Sequence, residues 1–595
     1  VAATLLLAFV LLGQDPSPFT RLSPQQQSTA AAWLQSLTLR QRIAQLMIAP
    51  FFGEAPFAGG DDDRAFLKLV EGEGVGGLII LNRVVGGSVQ RAEPYQMAAF
   101  LNRMQRRASI PLLVAGDFER SASMRVQGVT AFPHAMAFGA ANDPALTRRF
   151  GEATACEAWA LGVHWVLAPS ADLNRNPDNP VIHLRSFGED PAQVSLHVRA
   201  FLDGLQRNAR CPVPGSVKHF PGHGDTNVDS HYGLPTIART RQQLDESELA
   251  PFRAAINAGV YSVMPGHLSI PAMGTGSLPA TVAKAIVTDL LKGEMGFPGL
   301  VTTDGLDMRG LSSRFPAGEA SVRALEAGAD VLMIPPDPVA SLNAIEAALR
   351  SGRLTEERLN RSVLRVLQLK AALGLDAKRT VDLEAIAEVI PSPDFQQLAE
   401  TVAARALTLV RNHRQALPFQ PGGGQCAMVL NRGRFTTDGR AFATAVQELD
   451  AKAKVWFVDE TMSDAAFAQL QRDSSACRAV AVASFHGVSV TPSPGANGAG
   501  SGGIPLPPRQ AALLKAVEAS PARVVLAPFA NPYLGAHFPK ASAVLVPFSS
   551  VPTSERATAQ AIYGRTPIAG RSPVRLPGQL ELGEGLVLSM PAPRR

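Results

Sequence analysis

Between residues 40 and 375, short apolar runs alternate with longer stretches whose apolar residues return every three or four positions. Eight runs read as strands: 43–52, 75–81, 111–117, 163–169, 213–219, 260–265, 299–304 and 329–335. Stretches between them, at 145–161, 192–207, 282–295 and 318–327, carry helical spacing. Strands that are apolar almost throughout are buried on both faces, so the pattern predicts a parallel sheet covered by helices. Eight such units fit a closed (β/α)8, TIM-like barrel. A helix over 355–373 closes it, and 376–395 reads as a linker whose short helix ends at Pro391. Further strands at 426–430, 455–458, 479–484, 524–528 and 543–548, with helices at 441–449 and 508–518, predict a smaller parallel α/β domain. The expected division is a signal peptide and leader over 1–24, a barrel over 28–375, a linker over 376–400 and a C-terminal α/β sandwich domain over 401–590. A Gly/Ser/Pro stretch at 493–503 reads as a surface loop.

Composition narrows the classes. With 595 residues, 46% hydrophobic and 18% charged, the chain is no disordered polymer. Its net charge is only +5 and no run of five like charges occurs, which argues against a nucleic-acid partner. Four cysteines (Cys156, Cys211, Cys426, Cys477) make neither a disulfide scaffold nor a CxxC metal site. A Cys426–Cys477 bridge is one option, with buried thiols the expected state. The first twelve residues are apolar except Thr4, too short to span a bilayer and suited to a signal-peptide core. Export to the periplasm or medium is therefore expected, with no membrane span later in the chain.

A barrel enzyme gathers its chemistry at the carboxyl ends of its strands. Polar residues fall there in register: Asp117 and Glu119 after the third run, Asp172 and Asn174 after the fourth, Lys218 and His219 at the fifth, His267 after the sixth, and Asp304 at the seventh. The densest segment, KHFPGHGDTNVDSH over 218–231, holds Lys218, His219, His223, Asp225, Asp229 and His231, and its Pro and Gly residues forbid a regular helix. Asp229 and His231 are two apart, so the carboxylate can orient the imidazole as a general acid/base. Asp304 ends an apolar strand and precedes Gly305, which aims its carboxylate into the barrel mouth; a helix N-cap is the plainer alternative. Asp307 reads as a capping or supporting group.

The 218–226 loop with Asp229-Ser-His231, and the stretch TDGLDM over 303–308, resemble glycoside hydrolase family 3, in its β-N-acetylglucosaminidase branch. LRSFGEDP at 184–191, VMPGH at 263–267 and IYGRTPIAGRSP at 562–573 agree in order, so the resemblance covers about 30–575. It implies a retaining exo-acting β-N-acetylhexosaminidase acting on GlcNAc-terminated glycans or peptidoglycan fragments. It also implies that Asp304 is the nucleophile, that His231 is the acid/base held by Asp229, and that Asp117, Arg185, Lys218 and His219, with His267 beside them, bind the sugar. No metal or cofactor is implied. Two departures stand out: DFERSAS at 117–123 replaces the branch's Asp-x-Glu-Gly-Gly pattern, and Gly305 replaces an acidic or small residue.

Three alternatives remain open on the sequence. A β-glucosidase or a phosphorylase of the same fold would use the same residues, because a histidine in place of a second carboxylate lets anions approach. A metal-dependent hydrolase would take ligands from His219, His223, Asp225, Asp229 and His231. A non-catalytic sugar-binding protein would draw support only from the altered 117–123 segment.

Overall fold

Each of the eight apolar runs coincides with one strand, the fifth of which ends one residue past its run: β1 (Met47–Phe51), β2 (Gly77–Ile80), β3 (Leu113–Gly116), β4 (Trp165–Val166), β5 (Ser216–Phe220), β6 (Ser262–Pro265), β7 (Leu300–Val301) and β8 (Leu332–Met333). The computed structural model describes residues 16–53, 55–85, 88–488 and 505–590. The apolar stretch 1–12 and the loop 493–503 lie outside the described residues. Parallel pairing runs β8-β1-β2-β3-β4 and β5-β6-β7. Parallel bridges Val166–Gly215 and Thr302–Val331 join the two arcs, and the ring closes.

The strands are shorter than the runs for two reasons. At 43–52 the first residues belong to the helix Leu39–Ala44, started by a Thr38–Gln41 capping box, and a buried helix end cannot be told from a strand by apolarity. At 163–169 the regular ladder ends at Val166; the chain then runs beside β5, the Ser216 N–H donating to Ala168 O at 3.1 Å and Ser170 bridging Lys218, and so carries Asp172 to the mouth. Inside the ring, the buried Trp165 donates its indole N–H to Ser262 Oγ at 3.0 Å, so burial of this large ring leaves no orphan donor.

Covering helices begin on one recurring device. Asp143-Pro144, Asp190-Pro191 and Asp337-Pro338 open the helices Pro144–Ala160, Pro191–Arg207 and Pro338–Arg350, each Asp side chain accepting a first-turn N–H while the Pro presets the entry φ. The closing helix Glu356–Ala372 lies against Pro24–Ser36, and Gln26 reaches it through Ala371 O at 3.2 Å. Upstream, Phe19 is buried with its ring edge-to-face on Tyr261. A small hairpin, Arg83–Val85 with Ser88–Gln90, follows β2; its three-residue strands are too short to show a period.

The second body is a six-stranded sheet ordered β9-β14-β13-β12-β10-β11, with β9 (Thr408–Asn412), β10 (Gln425–Leu430), β11 (Lys454–Val458), β12 (Ala479–Ser484), β13 (Arg523–Pro528) and β14 (Ala543–Val546). Five are the predicted parallel strands; β9 is an antiparallel edge that sequence reading passes over. Alternation is clean on β10, where Met428 and Leu430 join one apolar cluster and Ala427 and Val429 the other, so the sheet is covered on both faces. The helices Asp464–Ser475 and Pro552–Ile562 were likewise not foreseen.

The cysteines correct the expectation of thiols: all four are paired, Cys156–Cys211 and Cys426–Cys477. Cys156 lies on a helix packed against Pro191–Arg207, just beyond which Cys211 follows, while Cys477 enters β12 beside Cys426 on β10. Replacing both Cys426 and Cys477 by Ala should cost about 2–4 kcal/mol for a bridge spanning 51 residues, read as a lower urea midpoint with a steeper slope, because the uncross-linked unfolded chain exposes more surface.

Candidate active site

At the carboxyl end of β3, Asp117 and Glu119 meet Lys218 from β5. Lys218 Nζ donates to Asp117 Oδ1 and, at 2.7 Å, to Glu119 Oε1. Glu119 also accepts a fork from Arg185, Nε to Oε2 and Nη2 to Oε1, both at 2.8 Å. Arg125 closes on Asp117 at 3.3 Å. Burial alone would raise both carboxyls, yet Lys218 and Arg125 hold Asp117 below its ordinary range, and Arg185 and Lys218 hold Glu119 well below it. The same pairing keeps the buried Lys218 charged. Lys218 and Glu119 are nearly inaccessible, whereas the Asp117 and Arg185 side chains retain about a quarter of their exposure (25% and 27%), so these two face the mouth.

A second network stands beside it. Fully buried Asp172 accepts from His219 Nδ1 at 2.8 Å, from the His219 backbone N–H at 3.1 Å and from the His223 N–H at 2.7 Å. Burial pushes its carboxyl up, but His219 and His223 bring it down to about 2. His219 thereby turns Nε2 toward Arg185 Nη2, 3.3 Å away. The Lys218–His219 and Phe220–Pro221 peptide bonds are cis.

Gly224 in that loop presses on Leu173: a Cβ there would lie 1.5 Å from the Leu173 carbonyl oxygen. Gly224→Ala should therefore displace the loop. We expect a loss of about 3 kcal/mol in unfolding free energy together with at least a tenfold loss in whatever turnover the site supports, checked by denaturation and kinetics on one preparation.

Beyond the loop, His231 Nδ1 and the His231 N–H both point at Asp229 Oδ1, at 2.7 and 2.9 Å. The His231 side chain is 53% exposed, which leaves Nε2 presented outward. Burial would lower its pKa, but the Asp229 carboxylate and the Asp304 charge outweigh that and raise it above the ordinary value. Asp229 is correspondingly held down, His231 offsetting its partial burial. The loop is tied to the Asp304 region, Arg309 and Gly310 donating to the His231 and Ser230 carbonyls.

Asp304 follows β7. One oxygen, Oδ1, accepts the Gly305 N–H at 2.8 Å; Oδ2 is buried without a hydrogen-bond partner among the described residues. Burial opposes its ionisation, yet His219, His267 and His231 with the Gly305 N–H more than offset this, so it stays a carboxylate. It is not an N-cap: the next helix, Arg309–Ser312, starts after Met308. Asp307 is exposed and caps nothing there either.

The predicted residues thus converge, with one difference of detail. His267 is fully buried and spends both ring nitrogens on protein, Nε2 on Gly305 O at 2.8 Å and Nδ1 on Thr281 Oγ1 at 2.9 Å, so it braces the Asp304 turn. Glu119, Asp172 and Arg125 are site residues to which the sequence reading gave no role, although their positions after strands were the available signal for the first two. The possible metal ligands are dispersed into pairs instead: His219 with Asp172, His223 with Ser230, Asp225 with Arg239, Asp229 with His231. Among the described residues no three His, Cys, Asp or Glu side chains gather to hold a metal. In the departing segment, Ser121 takes φ 66° and ψ −176°, a glycine-favoured conformation, held by its hydroxyl donating to Thr130 O at 2.6 Å. Ser121 stands where the branch's Asp-x-Glu-Gly-Gly pattern has its second glycine.

A closed barrel with a sheet domain behind it, and carboxylates and imidazoles meeting at its mouth, is the frame of a glycoside hydrolase. The profile described as glycosyl hydrolase family 3 N terminal domain matches residues 38–369, and the chain belongs to that family. It is 34% identical over 345 residues to a β-N-acetylglucosaminidase/β-glucosidase of Cellulomonas fimi, covering 56% of this chain and 61% of that protein. It is 30% identical over 421 residues to β-hexosaminidase A of Pseudoalteromonas piscicida, covering 63% and 68%. The chain thus spans somewhat under two thirds of the first of these relatives. A solved glycoside hydrolase family 3 β-N-acetylglucosaminidase from Paenibacillus sp. str. FPU-7 superposes with a TM-score of 0.79 at 32% identity over 91% of this chain and 99% of that one.

Proposed function

We propose that the protein is a retaining exo-β-N-acetylhexosaminidase that releases terminal β-linked GlcNAc from glycans or peptidoglycan fragments. The observation that carries this reading is the pairing of an ionised Asp304, one oxygen without a partner among the described residues, with a carboxylate-backed His231 whose Nε2 faces outward. The names of the relatives point the same way.

In the first step Asp304 Oδ2 attacks the anomeric carbon as its bond to the leaving oxygen breaks, and His231 Nε2–H gives that oxygen its proton. His231 is then neutral, and its Nδ1–H stays on the Asp229 carboxylate, which holds the ring for the second step. In the second step neutral His231 takes a proton from water, whose oxygen attacks the same carbon and frees Asp304, so the anomer is retained. Asp117 and Arg185, held by Lys218, Glu119 and Arg125, grip the sugar hydroxyls, and His219 is fixed for contact by Asp172. His267 positions Asp304 through the Gly305 carbonyl.

Export fits two disulfides, which persist in oxidising compartments. No helix among the described residues is long and apolar enough to cross a membrane. A second reading, β-glucosidase, is favoured by the double name of the Cellulomonas fimi relative. Release of nitrophenol from the 4-nitrophenyl β-glycosides of GlcNAc and glucose separates them. We expect the GlcNAc substrate to be preferred at least about tenfold in kcat/KM, a margin that one well-placed hydrogen bond to the acetamido group supplies. Glucoside-only turnover would replace the reading, and a sugar 1-phosphate product in phosphate buffer would make the enzyme a phosphorylase.

A further inference from the structure

The turn that carries Asp117, Glu119 and Arg125 into the mouth is tied to the covering helix Pro144–Ala160 by hydrogen bonds that the chemistry above does not use. Its far end is Thr130, buried like Ser121, and both backbone groups of Thr130 are taken. The carbonyl accepts the Ser121 hydroxyl at 2.6 Å, and the N–H donates to Glu157 Oε1 at 3.0 Å. Inside the closed loop the Ser123 N–H points at Ser121 Oγ at 3.3 Å, and Ser123 Oγ donates to Arg120 O at 2.9 Å. Arg125, which closes on Asp117, ends the short helix Ala122–Met124 of the same loop.

Glu157 is an unusual residue for the inner face of a covering helix. It is fully buried, makes no ion pair among the described residues, and its Oε2 has no hydrogen-bond partner among them. Burial raises its carboxyl to about 7, opposed only by the hydrogen bonds from Thr130. A buried carboxyl with one oxygen unsatisfied is destabilising, and an apolar side chain of similar size would fill the space better. What Glu157 supplies is an acceptor for the Thr130 N–H, a buried donor that needs one. Ser121 is unfavourable in the same way: its φ of 66° suits glycine, yet only a serine there brings the hydroxyl that reaches Thr130 O. Two residues, each costly alone, meet on one peptide segment behind the sugar-gripping carboxylates.

We propose that Glu157 is a positioning residue for sugar binding: through Thr130 and the Ser121 hydroxyl it fixes the turn from which Asp117 grips the terminal sugar and Glu119 holds Arg185. It touches neither the sugar nor the reacting atoms. This rests on the hydrolase reading above.

The test is steady-state kinetics on 4-nitrophenyl β-GlcNAc, with calorimetric binding of GlcNAc on the same preparations. Asp117 and Arg185 hold the sugar alike in ground and transition states, so a loosened turn shows in KM rather than in kcat. Glu157→Leu should raise KM and the GlcNAc Kd at least about tenfold, with kcat within about twofold of the parent. Glu157→Gln, which keeps an acceptor for the Thr130 N–H, should stay within about threefold in both. Ser121→Gly, at a φ that glycine adopts freely, cuts the link from the other side and should also raise KM about tenfold. In the double variant, with the Ser121 link already gone, Glu157→Leu should add less than about twofold, whereas a residue that merely fills the core would multiply the two losses. A folded Glu157→Leu protein with the parent's KM, a loss confined to kcat, or multiplied losses in the double variant overturns the proposal. If Glu157→Leu does not fold, Ser121→Gly carries the test, and an unchanged KM there overturns it. If the wild-type protein binds GlcNAc but cleaves no aryl glycoside, the hydrolase reading fails, and the GlcNAc affinities of the same variants still decide the positioning role.

Discussion

Asp304→Ala is expected to lower kcat for any β-GlcNAc substrate by at least about 10⁴-fold while leaving the protein folded. The size follows from the role: without the carboxylate there is neither a covalent partner for the anomeric carbon nor a counter-charge for the oxocarbenium-like transition state. The fold should survive, because the side chain's one hydrogen bond is from the Gly305 N–H and Oδ2 has no partner among the described residues. A melting temperature close to that of the parent is the companion expectation. Added azide should restore turnover of the nitrophenyl substrate by entering the vacated space and yielding a glycosyl azide of inverted configuration. Residual activity above about 1% without azide would remove Asp304 from this role.

Asp229→Asn should act chiefly on pH dependence. Competence requires Asp304 ionised and His231 protonated. Asp304 sits below its ordinary range and so is ionised through the neutral region; His231 is raised and so holds its proton beyond the usual imidazole limit. The alkaline limb of kcat/KM therefore belongs to His231. In the Asp229→Asn variant the burial that lowers His231 remains while the carboxylate that raises it is gone, so the limb should move down by about one pH unit or more. kcat/KM near neutrality should fall about 10²-fold for an unactivated disaccharide and much less for a nitrophenyl glycoside, whose leaving group needs little protonation. A pH profile unchanged from the parent would separate the pair.

The barrel was legible because buried parallel strands announce themselves as apolar runs and the chemistry follows them in register. Asp304 and Lys218 could be placed from that alone, whereas His231 was read only from its spacing to Asp229 and its loop could not be placed. What stayed hidden depends on contacts across the fold. Glu119 is one residue among several after β3 until Lys218 and Arg185 close on it, and Asp172 gains its meaning from the turn that brings the His219 and His223 N–H groups to one carboxylate. His267 looked like a sugar contact because it follows a strand, but both its nitrogens are used inside the protein. The spacing of Cys156 and Cys211 carries no sign that they meet, because that depends on how two helices pack. The short edge strand β9 lacks a long apolar run, and its pairing comes from β14, more than a hundred residues away.

The most direct test of the account is to trap the intermediate: react the enzyme with a fluorinated GlcNAc donor that glycosylates quickly and deglycosylates slowly, then map the labelled peptide by mass spectrometry. The account predicts one added sugar per chain, on Asp304. A label on another residue, or stoichiometric turnover with inversion and no label, would contradict it.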